Sequence, residues 1–152
     1  YNFFSQKEDL LYEVLLEEME QIIAPIAHLE KDAQTHPVEQ LRSVIESHLR
    51  ITLRYRRSAK LIFDVGLDQL HRHRRQTIVA MLDRYDQIIR NIIQRGMDLG
   101  LFPAVNKKLA GFMIASMITR SRLWYHPNKG VSISDLIEFI VNFSLYGLAG
   151  TK

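Results

Sequence analysis

The sequence contains no cysteine, so neither disulfide bonds nor thiolate chemistry can contribute to its stability or activity. That absence fits a reducing compartment, and a cytoplasmic location is the expectation. No apolar run approaches the ~18 residues that cross a bilayer, and the chain does not open on a basic segment followed by an apolar one. Neither a membrane span nor an export signal is therefore expected. A Gly-x-Ser-x-Gly elbow, a phosphate-cradling glycine loop and a Glu-x-x-His pair are all missing. Hydrolase, phosphoryl-transfer and zinc-dependent chemistry thus lose their usual sequence support, and no catalytic residue, metal or cofactor is expected. Proline is scarce, occurring only at Pro25, Pro37, Pro103 and Pro127, and no segment alternates long enough to suggest a sheet.

What is present is material for one all-α domain. With 152 residues, 47% of them apolar, the chain is long enough to bury a substantial core. Ser5 and Glu8 match a capping box ahead of apolar residues at Leu10, Leu11, Val14, Leu15, Met19 and Ile22, which predicts a helix over 6–24 stopped by Pro25. Thr35-His36-Pro37 starts a second helix running into the fifties, and Ser58 to Val65 suits a short third one ended by Gly66. From Asp68 to Leu99 one long helix is predicted, with an apolar stripe that includes Ile78, Met81, Tyr85, Ile89 and Ile92. On it, Asp83 and Asp86 are expected to pair with Arg84 and Arg90 at the surface. Asn106 caps a fifth helix to about Tyr125, and Ser132 or Ser134 caps a sixth reaching Gly147 to Gly150. About six helices result.

The last two helices are apolar on most sides, as Leu109 to Ile118 and Leu136 to Leu148 show. A helix of that kind needs a second surface beyond its own core, most simply the same pair from another copy across a twofold axis. Gly111, Ala115 and Thr119, spaced by four, allow close helix approach; with Ile140, Phe143, Ser144 and Gly147 they form the expected dimer interface, a four-helix bundle.

Charge is unevenly spread. The formal net charge is +3, yet residues 50–75 hold eight Lys/Arg against Asp64 and Asp68, leaving the rest of the chain at −3. This segment, with Arg54, Arg57 and His71 to Arg75, either receives anionic phosphates of a ligand, flanks DNA, or is a solvated helix face. His71 and His73 point about 200° apart on a helix and do not form a metal pair.

The opening Tyr1-Asn-Phe-Phe4-Ser-Gln-Lys7-Glu-Asp-Leu10-Leu11 resembles the segment joining the recognition helix to the next helix in the TetR/AcrR family of regulators, typically Tyr-x-His-Phe-x-Ser-Lys-Glu-x-Leu. Phe3 stands where histidine is common and Gln6 where serine or asparagine is common. The resemblance extends over the long helix, the Gly-Leu-Phe stop and the turn Trp124-Tyr-His-Pro-Asn-Lys-Gly130, which is similar to that of family members responding to acyl-CoA thioesters. Pro103 departs from the polar or basic residue often found after the stop. The resemblance implies that Tyr1 and Lys7 contact operator phosphates and that Arg120, one turn before Trp124, helps to hold the ligand. It also implies a division into the tail of a DNA-binding head (1–5), a connecting helix (6–24) and a ligand-binding and dimerisation domain (25–152), with operator DNA bound by a head outside these residues.

Independently, Met113, Met117, Arg120 and Trp124 fall at i, i+4, i+7 and i+11, a face that passes from thioethers to a cation and an indole. Together with Met81, Tyr85, Arg54 and Arg57 it forms the expected site for a lipophilic effector, by preference a fatty acyl-CoA. The competing readings are a core pair of methionines with a snorkelling Arg120, a repressor sensing a drug or metabolite without CoA recognition, and a helical homodimer scaffold.

Overall fold

The computed structural model describes residues 3–54 and 66–147, with side chains from residue 6 onward. Among the described residues five α-helices form the fold: α1 (Phe3–Ile23), α2 (Pro37–Arg54), α3 (Arg72–Asp98), α4 (Lys107–Trp124) and α5 (Ile133–Tyr146), with 3-10 turns at Ala27–Glu30 and Leu67–Gln69. There is no strand among the described residues. The short helix expected over 58–65 lies outside them.

α1 is already helical at Phe3, so Ser5 does not cap it, and Glu8 is not engaged in a capping box. Glu8 turns instead towards the start of α3, where its carboxylate accepts from the His71 backbone N–H (3.2 Å) and lies 2.6 Å from His71 Nε2. At the other end Pro25, which has no N–H to donate, terminates the helix. The chain then turns through Asp32, whose Oδ1 accepts from Gln34 N and Thr35 N at 2.9 and 3.0 Å. Arg95 of α3 reaches both the Gln40 side chain and the Thr35 carbonyl, tying this turn to the bundle.

The long helix of the sequence reading begins four residues later than expected, because the chain around Asp68 is a 3-10 turn. It ends where Gly96 O accepts from Leu101 N and Phe102 N, which folds the Phe102 ring back over Gly96. Asn106 caps α4 through Lys108 N and Leu109 N, both at 3.1 Å, and Ser132 caps α5 through Asp135 N at 3.0 Å. Arg84 pairs not with the neighbouring aspartates but with Glu30, at 2.6 and 3.0 Å. A bidentate partner on another segment outcompetes monodentate neighbours on the same helix.

The core is one aliphatic cluster to which all five helices contribute: Leu15 and Ile22 from α1, Val44, Ile45 and Leu49 from α2, Ile78, Ile88 and Ile89 from α3, Ile118 from α4 and Val141 from α5. α2 and α3 run antiparallel, since His48 meets Tyr85 and Gln40 meets Arg95. α3 and α4 do too, since Gly111 lies on Ile89 and Lys107 reaches Gln94.

Candidate functional site

Within this aliphatic interior a small set of polar side chains is buried. α1 presents its inner stripe as Leu11, Leu15, Glu18 and Ile22, at i, i+4, i+7 and i+11, so a carboxylate occupies a core position. α4 does the same with Gly111, Ile114, Ile118 and then Ser121 and Arg122. Glu18 is only 3% exposed and Arg122 only 7%. Burial pushes the Glu18 carboxyl up to about 7, opposed by the charge of Arg122, which places the two groups within electrostatic reach. Glu18 Oε2 has no hydrogen-bond partner.

Extending the two antiparallel registers brings Arg122 level with the Ile78–Met81 turn of α3 and with Thr52 of α2. Roughly two turns away along α3, about 9 Å at 1.5 Å per residue, the His48 imidazole and the Tyr85 hydroxyl are hydrogen-bonded through Nδ1, their rings edge to face with centroids 4.8 Å apart. Burial lowers His48 to about 4 and pushes Tyr85 up, with Asp86 adding to the latter, so both are neutral at physiological pH. The interior therefore holds a neutral hydrogen-bonded pair, His48 and Tyr85, and, buried on other helices, the Glu18 carboxyl and the Arg122 guanidinium.

The residues expected at the ligand site are not brought together. Tyr85 is buried and bonded to His48, and Met81 and Met117 are half-buried against the core. Met113 (65% exposed), Trp124 (57% exposed) and Arg120 lie on the outer side of α4. Arg54 is exposed, while Arg57 and Tyr1 lie outside the described residues; Lys7 is exposed on α1. The inward-facing cation is thus Arg122, two residues from the one singled out. The signal that could have found it, and Glu18 with it, is a charge standing on the apolar stripe rather than beside it.

The expected dimer residues divide likewise. Gly111 is buried inside the chain, where a Cβ would stand 3.3 Å from Ile89 Cγ2, and Ile140 is buried in the core. The close approach that Gly111 permits is therefore to α3 of the same chain. Ala115, Thr119 and Ser144 are half-buried, and Ser144 lines a hollow of about 140 Å³ with Leu41, Ile93 and Ile114. Phe143 and Gly147 do face outward. Besides Phe143, the exposed apolar residues include ones not named in the expected interface: Leu109, Phe112 and Leu123 on α4, and Phe139 and Tyr146 on α5. The Phe139 and Phe143 rings stack with centroids 6.0 Å apart.

The basic segment is partly consumed within the fold. Arg74 donates to Asp9 at 2.6 Å and to Glu8 at 3.3 Å and sits 4.9 Å above the Tyr12 ring, while Arg75 lies 3.8 Å from Asp68. Arg72 and His73 remain exposed. No cluster of three or more potential metal ligands occurs among the described residues, and no helix there is long and apolar enough to cross a membrane.

Comparison with known proteins gives a consistent result. Residues 34–148 match the model of a protein family described as tetracyclin repressor-like, C-terminal domain. A TetR family transcriptional regulator, PfmR from Thermus thermophilus, superposes with a TM-score of 0.81 at 27% identity, over 95% of this chain and 78% of its own. A regulatory protein of the same family from Rhodococcus superposes at 0.82 with 19% identity, over 96% and 76% of the two chains. AibR, solved in complex with isovaleryl coenzyme A and operator DNA, superposes at 0.77 with 17% identity, over 95% and 76%. No curated protein sequence matches the chain.

Proposed function

We propose, on the footing that the chain belongs to the family of tetracyclin repressor-like C-terminal domains, that it is the effector-binding and dimerisation body of a transcriptional repressor. Its effector is lipophilic, by preference a fatty acyl-CoA, and binding releases the repressor from its operator. The observation that carries an effector function is the buried Glu18 carboxyl, with one oxygen unpartnered, facing the charge of Arg122 across an aliphatic interior. A helical body built only for stability gains nothing from such a group, since an unsatisfied buried acceptor costs about 1–3 kcal/mol. An amphiphile with an apolar chain and a polar end suits an aliphatic interior that holds a buried polar group. The preference for an acyl-CoA is supported by the Trp124 to Gly130 turn and by AibR, which is described bound to isovaleryl coenzyme A.

Release requires the effector to bind one dimer arrangement more tightly than another, and ~1–3 kcal/mol of such a difference alters operator affinity by about 5- to 150-fold. α1, continuous with the chain towards Tyr1, is the element that transmits it. Dimerisation is assigned to the outer apolar face of α4 and α5, where Phe112, Met113, Trp124, Phe139 and Phe143 lie exposed.

A panel of acyl-CoA thioesters from short to long, scored by melting temperature, tests the ligand class. At 100-fold excess over Kd a matching thioester adds about 2.7 kcal/mol, which for a domain of this size raises Tm by roughly 5–10 °C. A flat response over the whole panel would count decisively against the acyl-CoA reading. The outward position of Arg120 and Trp124 favours a second reading, a repressor sensing a small metabolite without CoA recognition. It predicts that Arg120→Ala leaves effector affinity unchanged.

A further inference from the structure

We propose that a small hydrocarbon, an aromatic ring or branched chain of about six carbons, binds in the hollow of about 140 Å³ where the start of α4 meets the last turn of α5. None of Glu18, His48, Tyr85 or Arg122 lines this hollow, so the site is distinct from the polar interior. It selects its ligand by volume and by having no hydrogen-bond donor to offer.

The packing of α5 explains why the space exists. α5 packs more on α2 than on α4, and a gap is left between its last turn and the first turns of α4. The buried side chains of Leu41, Ile93 and Ile114, from α2, α3 and α4, form its floor. Ala110 of α4 and Leu145 of α5, both half-buried, also line it, and the Ala110 methyl is too short to fill the space. Phe102, Pro103 and Val105 complete the wall at the α3–α4 connection. Of these Pro103 and Val105 are exposed, which leaves that side next to solvent.

The donors around the hollow are spent. Phe102 N donates to Gly96 O, Val105 N to the Met97 sulfur and Ala110 N to Asn106 O, while Pro103 has no N–H. The Ser144 hydroxyl, the one polar side-chain group among the described lining residues, donates to Ile140 O at 2.7 Å. Leu41, Ile93, Ile114 and Leu145 lie beyond the first turn of their helices, where N–H groups are bonded within the ladder. A buried water needs about two to four polar partners, whereas a cavity of about 150 Å³ walled by aliphatic and aromatic side chains stays dry and takes benzene. The hollow has that size and that kind of wall. On the reading that dimerisation uses the outer faces of α4 and α5, an occupant ties together the two helices that carry the interface.

Benzene and pyridine, alike in shape and differing at one ring position, test this in titrations of the native chain followed by its methyl resonances. Benzene is expected to saturate and to shift the methyls of Ile93, Ile114 and Leu145. Pyridine, whose nitrogen would enter without a donor, is expected to bind about tenfold more weakly. Naphthalene, a fused double ring, is expected not to bind. Ala110→Leu fills the hollow from its own wall and should abolish the benzene shifts, whereas Leu145→Ala enlarges it and should admit naphthalene. Where Ala110→Leu fails to fold, the native series and Leu145→Ala decide. Equal affinities for benzene and pyridine, benzene shifts confined to other methyls, or binding unchanged by a folded Ala110→Leu would each overturn the proposal. Shifts of the same three methyls on raising the protein concentration, with no benzene binding, would overturn it too and give the hollow to a side chain of a second copy. A flat thioester response alongside benzene binding removes the acyl-CoA reading and leaves the hollow site standing; thioester binding without benzene binding removes the hollow site alone.

Discussion

Burial favours the uncharged form of both Glu18 and His48, yet the two act on stability in opposite directions. Glu18 is raised from 4.5 to about 7, so between those values the folded state holds a proton that the unfolded state has lost. Its contribution is fully present below pH 4.5 and is lost as pH rises through 7. His48 is lowered from 6.5 to about 4, so the unfolded state holds the extra proton. Its contribution is present above pH 6.5 and is lost as pH falls through 4. Each amounts to at most roughly 3 kcal/mol, and the two oppose one another between pH 4.5 and 6.5. Urea denaturation over this range should show Glu18→Gln gaining stability relative to the native protein as pH rises, and His48→Gln gaining as pH falls. A pH-independent difference for Glu18→Gln would mean that the carboxyl is solvated in the folded state.

At the scale of the element, the end of α3 decides how the chain enters α4. Alanine in place of a helical glycine ordinarily gains about 1 kcal/mol. At Gly96 the sign reverses, because a Cβ there would stand 2.1 Å from Phe102 Cδ2, and the ring is held over the helix by backbone bonds from Leu101 and Phe102 to Gly96 O. Gly96→Ala is expected to destabilise by about 1–3 kcal/mol, as overpacking does. Pairing it with Phe102→Ala should recover part of that loss, since the obstruction is then gone. A stabilised Gly96→Ala single variant in urea melts would show that the ring yields freely. The clasp at the other end of α3, where Arg74 meets Asp9, Glu8 and the face of Tyr12, fixes α1 against the same helix.

For the molecule as a whole, the outer face of α4 and α5 is the feature a single chain leaves unfinished. Met113, Trp124 and Phe139 are 65, 57 and 66% exposed, and large apolar side chains left in water on two successive helices mark a candidate interaction surface. Met113→Arg combined with Phe139→Arg places like charges facing each other across a twofold axis. Sedimentation should then show a monomer with native circular dichroism, whereas the native protein is expected to sediment as a dimer. An unchanged dimer would move the interface elsewhere.

Sequence by itself determined the all-helical architecture and most of the helix boundaries, because apolar periodicity, Pro25, Pro37 and the Asn106 and Ser132 caps act over a turn or two of chain. It also carried the family, since Trp124 to Gly130 and the segment before Leu11 are local patterns. Only the tertiary structure decided direction. A helix apolar on most sides does not declare which side is inside: its sequence suits Gly111 and Ile140 to an outward face as well as to the core, whereas packing against Ile89 turns Gly111 inward, with Ile118 and Arg122 buried on the same helix and Arg120 exposed. The Ser5–Glu8 spacing fits a cap equally well in isolation. Glu8 has another role because His71 and Arg74, more than sixty residues on, reach it first. Contacts of that range depend on how α1 lies across α3, which no local pattern encodes.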